Sequence, residues 1–381
     1  MEIYLPVYLG SAFLSLMMTP VIIWVARRAN IVDIPVARSL HVKPVPRVGG
    51  VSIFISMMCL SALALFLPNA GGDAFGEVLP QVIILLSAAA FMFMVGLVDD
   101  IRTIRARNKF LAQLAAAIAV CSVGIRIETV AVADWFTLEF GWFSWPLTIL
   151  WIVGITNAVN LSDGMDGLAA GISAVACGVI ALIAIHSGQP VVAVLMIALL
   201  GSLTGFLFFN FNPAKIFMGD CGSLFLGFTL SVSSVMCSTQ SHTLVDLALP
   251  ALALGIPILD TLSSMLRRFL ERRSMFAPDR NHFHHRLLGL GLTQRYAVLL
   301  AYAVTLLAAG LGSFMIFAET SHSLFGFMGA LLGLLLVFRA VGSIRFRGTI
   351  RGLQERVAMT LQSSVRCKGR VLGLPASRRA S

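Results

Sequence analysis

Apolar runs of about 20 residues, the length that crosses a bilayer, recur along this chain and are parted by short polar clusters. They predict eleven helices, near residues 3–25, 49–68, 78–98, 109–125, 144–160, 167–186, 190–209, 222–240, 244–266, 296–317 and 322–342. The first run, Ile3 to Val25, has no basic segment ahead of it and no small-residue cleavage site, so it reads as a retained span rather than a signal peptide. Between the fourth and fifth runs, Glu128 to Trp145 alternates apolar residues around Asp134 and Trp135, which predicts a short hairpin with interfacial tryptophans. The fold class is therefore an all-α integral membrane protein, with residues 1–342 as one membrane domain and 343–381 as a basic cytoplasmic tail.

Composition agrees, since 58% hydrophobic and only 12% charged residues exclude a soluble enzyme. The six cysteines are scattered, mostly inside apolar runs, and show no metal or disulfide spacing. A net charge of +10 would suit a nucleic-acid binder, but the placement of the basic residues argues for no nucleic acid. With the N-terminus outside, all of the 28 Lys and Arg except Arg126 and Arg339 fall in the segments 26–48, 99–109, 161–166, 210–221, 267–295 and 343–381. The positive-inside bias assigns those segments and the C-terminus to the cytoplasm. The same threading brings Asp99, Asp100, Asp163, Asp166 and Asp220 to the inner ends of helices or to the loops joining them, with Asp260 in the inner half of the ninth helix. A carboxylate beside hydrocarbon costs about 2.5–3.5 kcal/mol on insertion scales, so such convergence predicts one site facing the cytoplasm.

The most informative stretch is Asn157 to Gly167, N-A-V-N-L-S-D-G-M-D-G. Asn157 and Asn160 lie one helical turn apart, and Asp163 and Asp166 follow on a loop whose glycines permit tight turns. These oxygen ligands suit a hard cation or the donor groups of a nucleotide; a polar helix cap would need one such residue, not four. Asp99-Asp100 precedes Arg102, Arg105, Arg107 and Lys109, which reads either as an ion-pair cluster or as two carboxylates offset by a magnesium-phosphate complex. Gly219-Asp220-Cys221-Gly222-Ser223 opens the eighth helix and fits an ordinary N-cap and a phosphate site equally well. Lys43 and Arg47 sit among prolines ahead of Gly49-Gly50, in a basic loop that is either topogenic or anion-binding. Arg280, His282, His284, His285 and Arg286 crowd the longest inside loop. Zinc is disfavoured there, because neither a fixed carboxylate nor a thiolate partner is evident and the arginines would repel a metal, so anion binding is the better reading.

Taken together these residues resemble the polyprenyl-phosphate N-acetylhexosamine-1-phosphate transferases, integral membrane enzymes that begin lipid-linked glycan assembly. The resemblance runs over roughly residues 1–320 and rests on five motifs in the family's order. They are Lys43-Pro-Val-Pro46-Arg47-Val-Gly49-Gly50, Asp99-Asp100, Asn157-x-x-Asn160-x-x-Asp163-Gly-x-Asp166-Gly, Gly219-Asp220-x-Gly-Ser223 and His282-x-His284-His285. It implies a UDP-N-acetylhexosamine donor, an undecaprenyl phosphate acceptor, and Mg2+ (or Mn2+) held by Asn160 and Asp220. Asp99 and Asp100 would be the catalytic carboxylates, joined as candidates by Asp163, Asp166, His282, His284 and His285. Lys43, Arg47, Lys109, Asn157 and Arg280 are the candidate substrate-binding residues. Phe283 interrupts the three consecutive histidines expected of the peptidoglycan branch, so the segment looks like the N-acetylglucosaminyl branch serving O-antigen, common antigen or teichoic acid synthesis. Cys221 departs slightly from the residues usual at its position.

The implied reaction exchanges one phosphoanhydride for another, so catalysis is mainly charge neutralisation and alignment. A phosphate monoester has its second pKa near about 6, so the acceptor is mostly dianionic at neutral pH and a strong base is dispensable. Asp99 or Asp100 would orient the attacking phosphate or take its residual proton, and Asp163 or Asp166 would read the uracil or ribose. The rival readings are the peptidoglycan-branch transferase, a catalytically silent scaffold, and a secondary transporter. The last is disfavoured by the absence of an internal repeat and by acids at helix ends rather than the midplane. The expected setting is the bacterial cytoplasmic membrane, as a multi-pass protein with the bilayer as partner and a homodimer left open.

Overall fold

The computed structural model describes residues 3–35, 44–66, 72–133, 136–241, 244–272, 282–313 and 325–339. Lys43, Arg280 and the basic tail lie outside them, as does the side chain of His284. Every apolar run of the sequence is helical where described. α1 (Tyr4–Arg28) leads through a two-residue ladder, β1 (Val32–Asp33) with β2 (Val45–Pro46), into α2 (Gly50–Phe66), α3 (Gly72–Ile101) and α4 (Ala106–Ser122). The hairpin expected near residue 134 is present as β3 (Thr129–Ala133) antiparallel to β4 (Phe136–Glu139). α5 (Ser144–Ser162), α6 (Leu168–His186), α7 (Pro190–Asn210) and α8 (Gly219–Ser241) follow, then α9 (Leu244–Ala253), α10 (Gly255–Leu270), α11 (Phe283–Gly289) and α12 (Gln294–Ser313). α13 (Phe325–Arg339) closes the described chain.

Seven of these helices are long and apolar enough to cross a membrane, or eight if α9 and α10 count as one span, among the described residues. α2 and α13 are apolar but shorter. α4 was expected to span; it has 17 residues, about 25 Å at 1.5 Å per residue, and starts with Arg107 and Lys109. The single ninth helix expected over 244–266 is instead two helices meeting at 76°. Pro250 lies inside α9, and Pro257 in the first turn of α10 lacks the N–H that would reach back to Ala253 and carry the ladder across the break. After the bend α10 is sharply two-faced. Asp260, Thr261 and Ser264 are buried, while Leu262, Met265, Leu266, Phe269 and Leu270 are exposed.

α8 is the axle of the bundle, buried from Cys221 to Ser238 and packed by α3, α5, α6, α2 and α9. It carries many hydroxyls, and several turn back onto their own helix: Thr229 donates to the Phe225 carbonyl at 2.8 Å, Ser231 to Phe228 at 2.8 Å and Ser234 to Ser231 at 2.7 Å. Those polar groups are thereby satisfied without water. Two close approaches place the functional end of α8. At Gly50 a Cβ would run into the Gly222 backbone, and at Gly96 into the backbone of Asp220 and Cys221. Only glycine lets α2 and α3 come so near, and Gly96 lies one turn before Asp100.

Candidate active site

Asp100 shows what that approach achieves. Its Oδ1 accepts the Asp220 N–H at 2.9 Å and its Oδ2 the Cys221 N–H at 3.0 Å. A carboxylate from α3 thus caps the first turn of α8, satisfying two orphan donors and meeting the positive end of the helix dipole. Asp99, its neighbour, turns elsewhere. Asp99 Oδ1 accepts the Ile104 N–H at 2.5 Å, and Oδ2 pairs with Lys109 Nζ at 2.8 Å. The same ammonium lies 3.0 Å from Asp220 Oδ2, so Lys109 is a cationic bridge between two carboxylates from α3 and α8. Asn160 at the end of α5 donates from Nδ2 to Asp220 Oδ1 at 2.7 Å and to Ser223 Oγ at 2.8 Å. Asp220 is therefore gripped on both oxygens.

The loops complete the wall by backbone pairing. Phe217 N–H bonds to the Pro46 carbonyl at 2.8 Å, Gly49 N–H to Phe217 O at 2.9 Å and Gly50 N–H to Met218 O at 2.8 Å. This zips the segment after β2 onto the loop before α8 and delivers Arg47 to the site. Asp166 accepts from Asn212 Nδ2 at 2.8 Å and from the Ala214 N–H at 3.1 Å. Asn210 holds the other side of that turn, accepting the Gly167 N–H at 3.1 Å and donating to the Ile216 carbonyl at 2.9 Å.

These elements enclose a cavity of about 500 Å³. Its walls carry the carboxylates of Asp33, Asp99, Asp100, Asp163, Asp166 and Asp220, with Asn160, Arg47 and His285 among them. Arg47, which lines the cavity, keeps its buried Nε without a hydrogen-bond partner. So much negative charge in one place needs compensation beyond Lys109. Burial, and then the charges of Asp220, Asp100 and Asp166, push the Asp163 carboxyl up to about 8 against the opposing hydrogen bond from the Gly219 N–H. A hard cation fits an all-oxygen donor set of this kind. No three His, Cys, Asp or Glu side chains converge to hold a metal by themselves among the described residues.

Most of the residues expected from sequence meet here: Asp99, Asp100, Asn160, Asp163, Asp166, Asp220, Arg47 and His285 on the wall, with Lys109 beside them. Asn157 does not line the cavity. One turn behind Asn160, its Nδ2 donates to Gln113 Oε1 at 2.6 Å and to the Val153 carbonyl at 2.8 Å, which ties α5 to α4. His282 is also off the wall, buried with its Nδ1 at 2.9 Å from Asp260 Oδ2. Lys43, Arg280 and the His284 side chain lie outside the described residues. Sequence reasoning missed Asp33, Thr103 and Asn210 as wall residues. The signal for Asp33 was present: it is the one carboxylate in the basic segment 26–48.

Comparison with known proteins follows the same lines. Residues 82–238, which hold the two aspartate motifs and the start of α8, match the profile of glycosyl transferase family 4. The chain is 40% identical over 300 residues to the Bacillus subtilis (strain 168) protein named "Probable undecaprenyl-phosphate N-acetylglucosaminyl 1-phosphate transferase", covering 78% of this chain and 80% of that one. It is 32% identical over 333 residues to the decaprenyl-phosphate N-acetylglucosaminephosphotransferase of Mycobacterium tuberculosis (strain ATCC 25618 / H37Rv), covering 81% and 82%. It is 30% identical over 308 residues to the undecaprenyl-phosphate alpha-N-acetylglucosaminyl 1-phosphate transferase of Escherichia coli (strain K12), covering 78% and 79%. With the family profile matched and relatives of 30–40% identity covered over most of their length, the chain belongs to glycosyl transferase family 4.

Proposed function

We propose that this protein transfers N-acetylglucosamine 1-phosphate from UDP-N-acetylglucosamine to a polyprenyl phosphate of the undecaprenyl class, releasing UMP. The observation that carries the proposal is the carboxylate-lined cavity at the converging helix ends, with Arg47 and His285 on its rim. The names of the relatives supply the sugar and the lipid class. An oxygen of the lipid phosphate attacks the sugar-bound phosphorus of the donor; the new P–O bond forms as the bond to UMP breaks. One anhydride replaces another, so the reaction is close to reversible and UMP inhibits it.

The chain's own residues divide the work by their partners. Arg47, on the cavity wall, pairs with donor or acceptor phosphate. Lys109 lowers the repulsion between Asp99 and Asp220, and between both and an incoming phosphate. Asp99, less committed to backbone than Asp100, orients the acceptor phosphate or takes its residual proton. Asp163 and Asp166 face the donor from the loop between α5 and α6. Mg2+, held through Asp220 with Asn160 orienting that carboxylate, would neutralise diphosphate charge and polarise the scissile bond. The cavity faces the cytoplasm in this reading, on the side where the basic residues accumulate.

The test is transfer of label from UDP-N-acetylglucosamine into undecaprenyl phosphate by the purified protein in lipid, with and without Mg2+. Magnesium-dependent lipid product and released UMP are expected, and Asp220→Asn lowers kcat by about 100-fold or more, the scale of losing one aligned electrostatic contact. Product formation unaffected by a chelator would remove magnesium from the mechanism. Absence of product with this and other UDP-N-acetylhexosamines would remove the transferase reading.

A further inference from the structure

We propose that Asp260 is a positioning residue that seats the histidine segment, and that His282 serves as the anchor of that seat while His285 reaches the substrate. The proposal rests on the transferase reading for its kinetic consequences and on geometry for its substance. Asp260 lies on α10 just beyond the 76° bend and is 4% exposed. Its Oδ1 accepts the Phe283 N–H at 2.6 Å, and its Oδ2 meets His282 Nδ1 at 2.9 Å. His282 is the N-cap residue of α11, in extended conformation, and makes no capping bond with its own side chain. The cap therefore comes from another helix.

The arrangement has a clear mechanical result. α11 has seven residues, too few to hold its shape unaided. It is held at its start by Asp260 and on its flank by Phe283, which is 2% exposed and stacks on Phe338 of α13 with ring centroids 4.7 Å apart. His285, two residues past Phe283, lies on the cavity wall while His282 does not. One carboxylate thus fixes both the backbone direction of α11 and the ring of its N-cap, and through them the point at which His285 meets the cavity. The two histidines look alike in sequence but take different tasks.

The experiment compares Asp260→Asn and Asp260→Leu, each alone and combined with His285→Ala, in the full-length protein in lipid. The asparagine keeps an oxygen for the Phe283 N–H and an amide for His282; the leucine keeps neither. The leucine variant is expected to lose kcat by on the order of ten- to a hundred-fold with KM for UDP-N-acetylglucosamine changed far less, and the asparagine variant to stay within a few-fold of wild type. In the His285→Ala background the leucine change adds less than about two-fold, since the residue it positions is gone. Independent losses that multiply would overturn the proposal. The second readout needs no turnover: ethoxyformylation of His285 by diethyl pyrocarbonate, followed by mass spectrometry, changes several-fold in rate in the leucine variant and returns toward wild type in the asparagine variant. Unchanged His285 reactivity in a folded leucine variant would overturn the proposal. So would an inactive asparagine variant with normal His285 reactivity, because the charge would then act directly. A wild-type protein without transferase activity removes the transferase reading and leaves the reactivity test standing.

Discussion

Asp99 and Asp100 are adjacent in sequence, yet their partners make them unequal. Asp100 uses both oxygens on N–H groups of α8, so Asp100→Asn sets an amide donor against a backbone donor. That exchange is expected to lower thermal stability by about 1–3 kcal/mol as well as activity. Asp99→Asn keeps an oxygen for Ile104 and gives up an ion pair with half-buried Lys109, so activity falls with a much smaller change in melting temperature. Thermal unfolding in detergent beside label transfer separates the two. Asp163 gives a pH prediction of definite sign. Its carboxyl, pushed up to about 8 by burial and neighbouring charge, is mostly neutral at pH 7, and a divalent cation binds the ionised form better. Cation binding therefore releases a proton. Affinity should weaken by up to about ten-fold per pH unit below 8, and titration calorimetry in two buffers should show Asp163→Asn lessening that slope. A flat profile in the wild type would contradict this.

At the scale of elements, the site depends on how closely helices approach. A methyl at Gly96 meets the Asp220 and Cys221 backbone, so Gly96→Ala must part α3 from α8 and draw Asp100 off the α8 N-terminus. Activity is expected to fall with stability, although the side chain touches no substrate. The Gln113–Asn157 clamp makes a different prediction. Asn157→Leu strands the Gln113 amide at about 1–3 kcal/mol, whereas Gln113→Leu with Asn157→Leu recovers most of that stability by removing both partners. Recovery of activity in the double variant would exclude Asn157 as a substrate ligand. These elements also show what was legible in the sequence. Helices followed from apolar run length, and the aspartates from their placement at run ends. The break between α9 and α10 was not read because hydropathy continues through it and only Pro250 and Pro257 mark it. Asn157 was read as a site residue from its polarity at the end of an apolar run and His282 from its place in a basic, histidine-rich loop, since residue chemistry of this kind marks importance. It does not distinguish a wall residue from one satisfying a partner a turn behind.

For the whole molecule, orientation is the property that composition argued and that labelling can check. Trp142, almost fully exposed beside the β3–β4 hairpin, and Arg102, exposed after α3, are assigned to opposite faces. Cysteines placed at the two positions, in a background lacking exposed Cys59 and the tail's Cys367, should react with an impermeant maleimide from opposite sides, with Trp142→Cys on the outer one. Labelling of both from one side would refute the threading. The pairing of Arg47's segment with the loop before α8 could not be read locally, since the two are distant in sequence. The cavity is accordingly closed by residues from almost the full described length, from Asp33 near the beginning to His285 after the last bend. This sets the order of events during synthesis. A nascent chain that has inserted as far as α10 already presents every wall carboxylate to its surroundings, but not the histidine that completes the rim. On the proposed reading, transfer is expected only from chains that include α11, and a truncation after α10 should give no lipid product in the label-transfer assay.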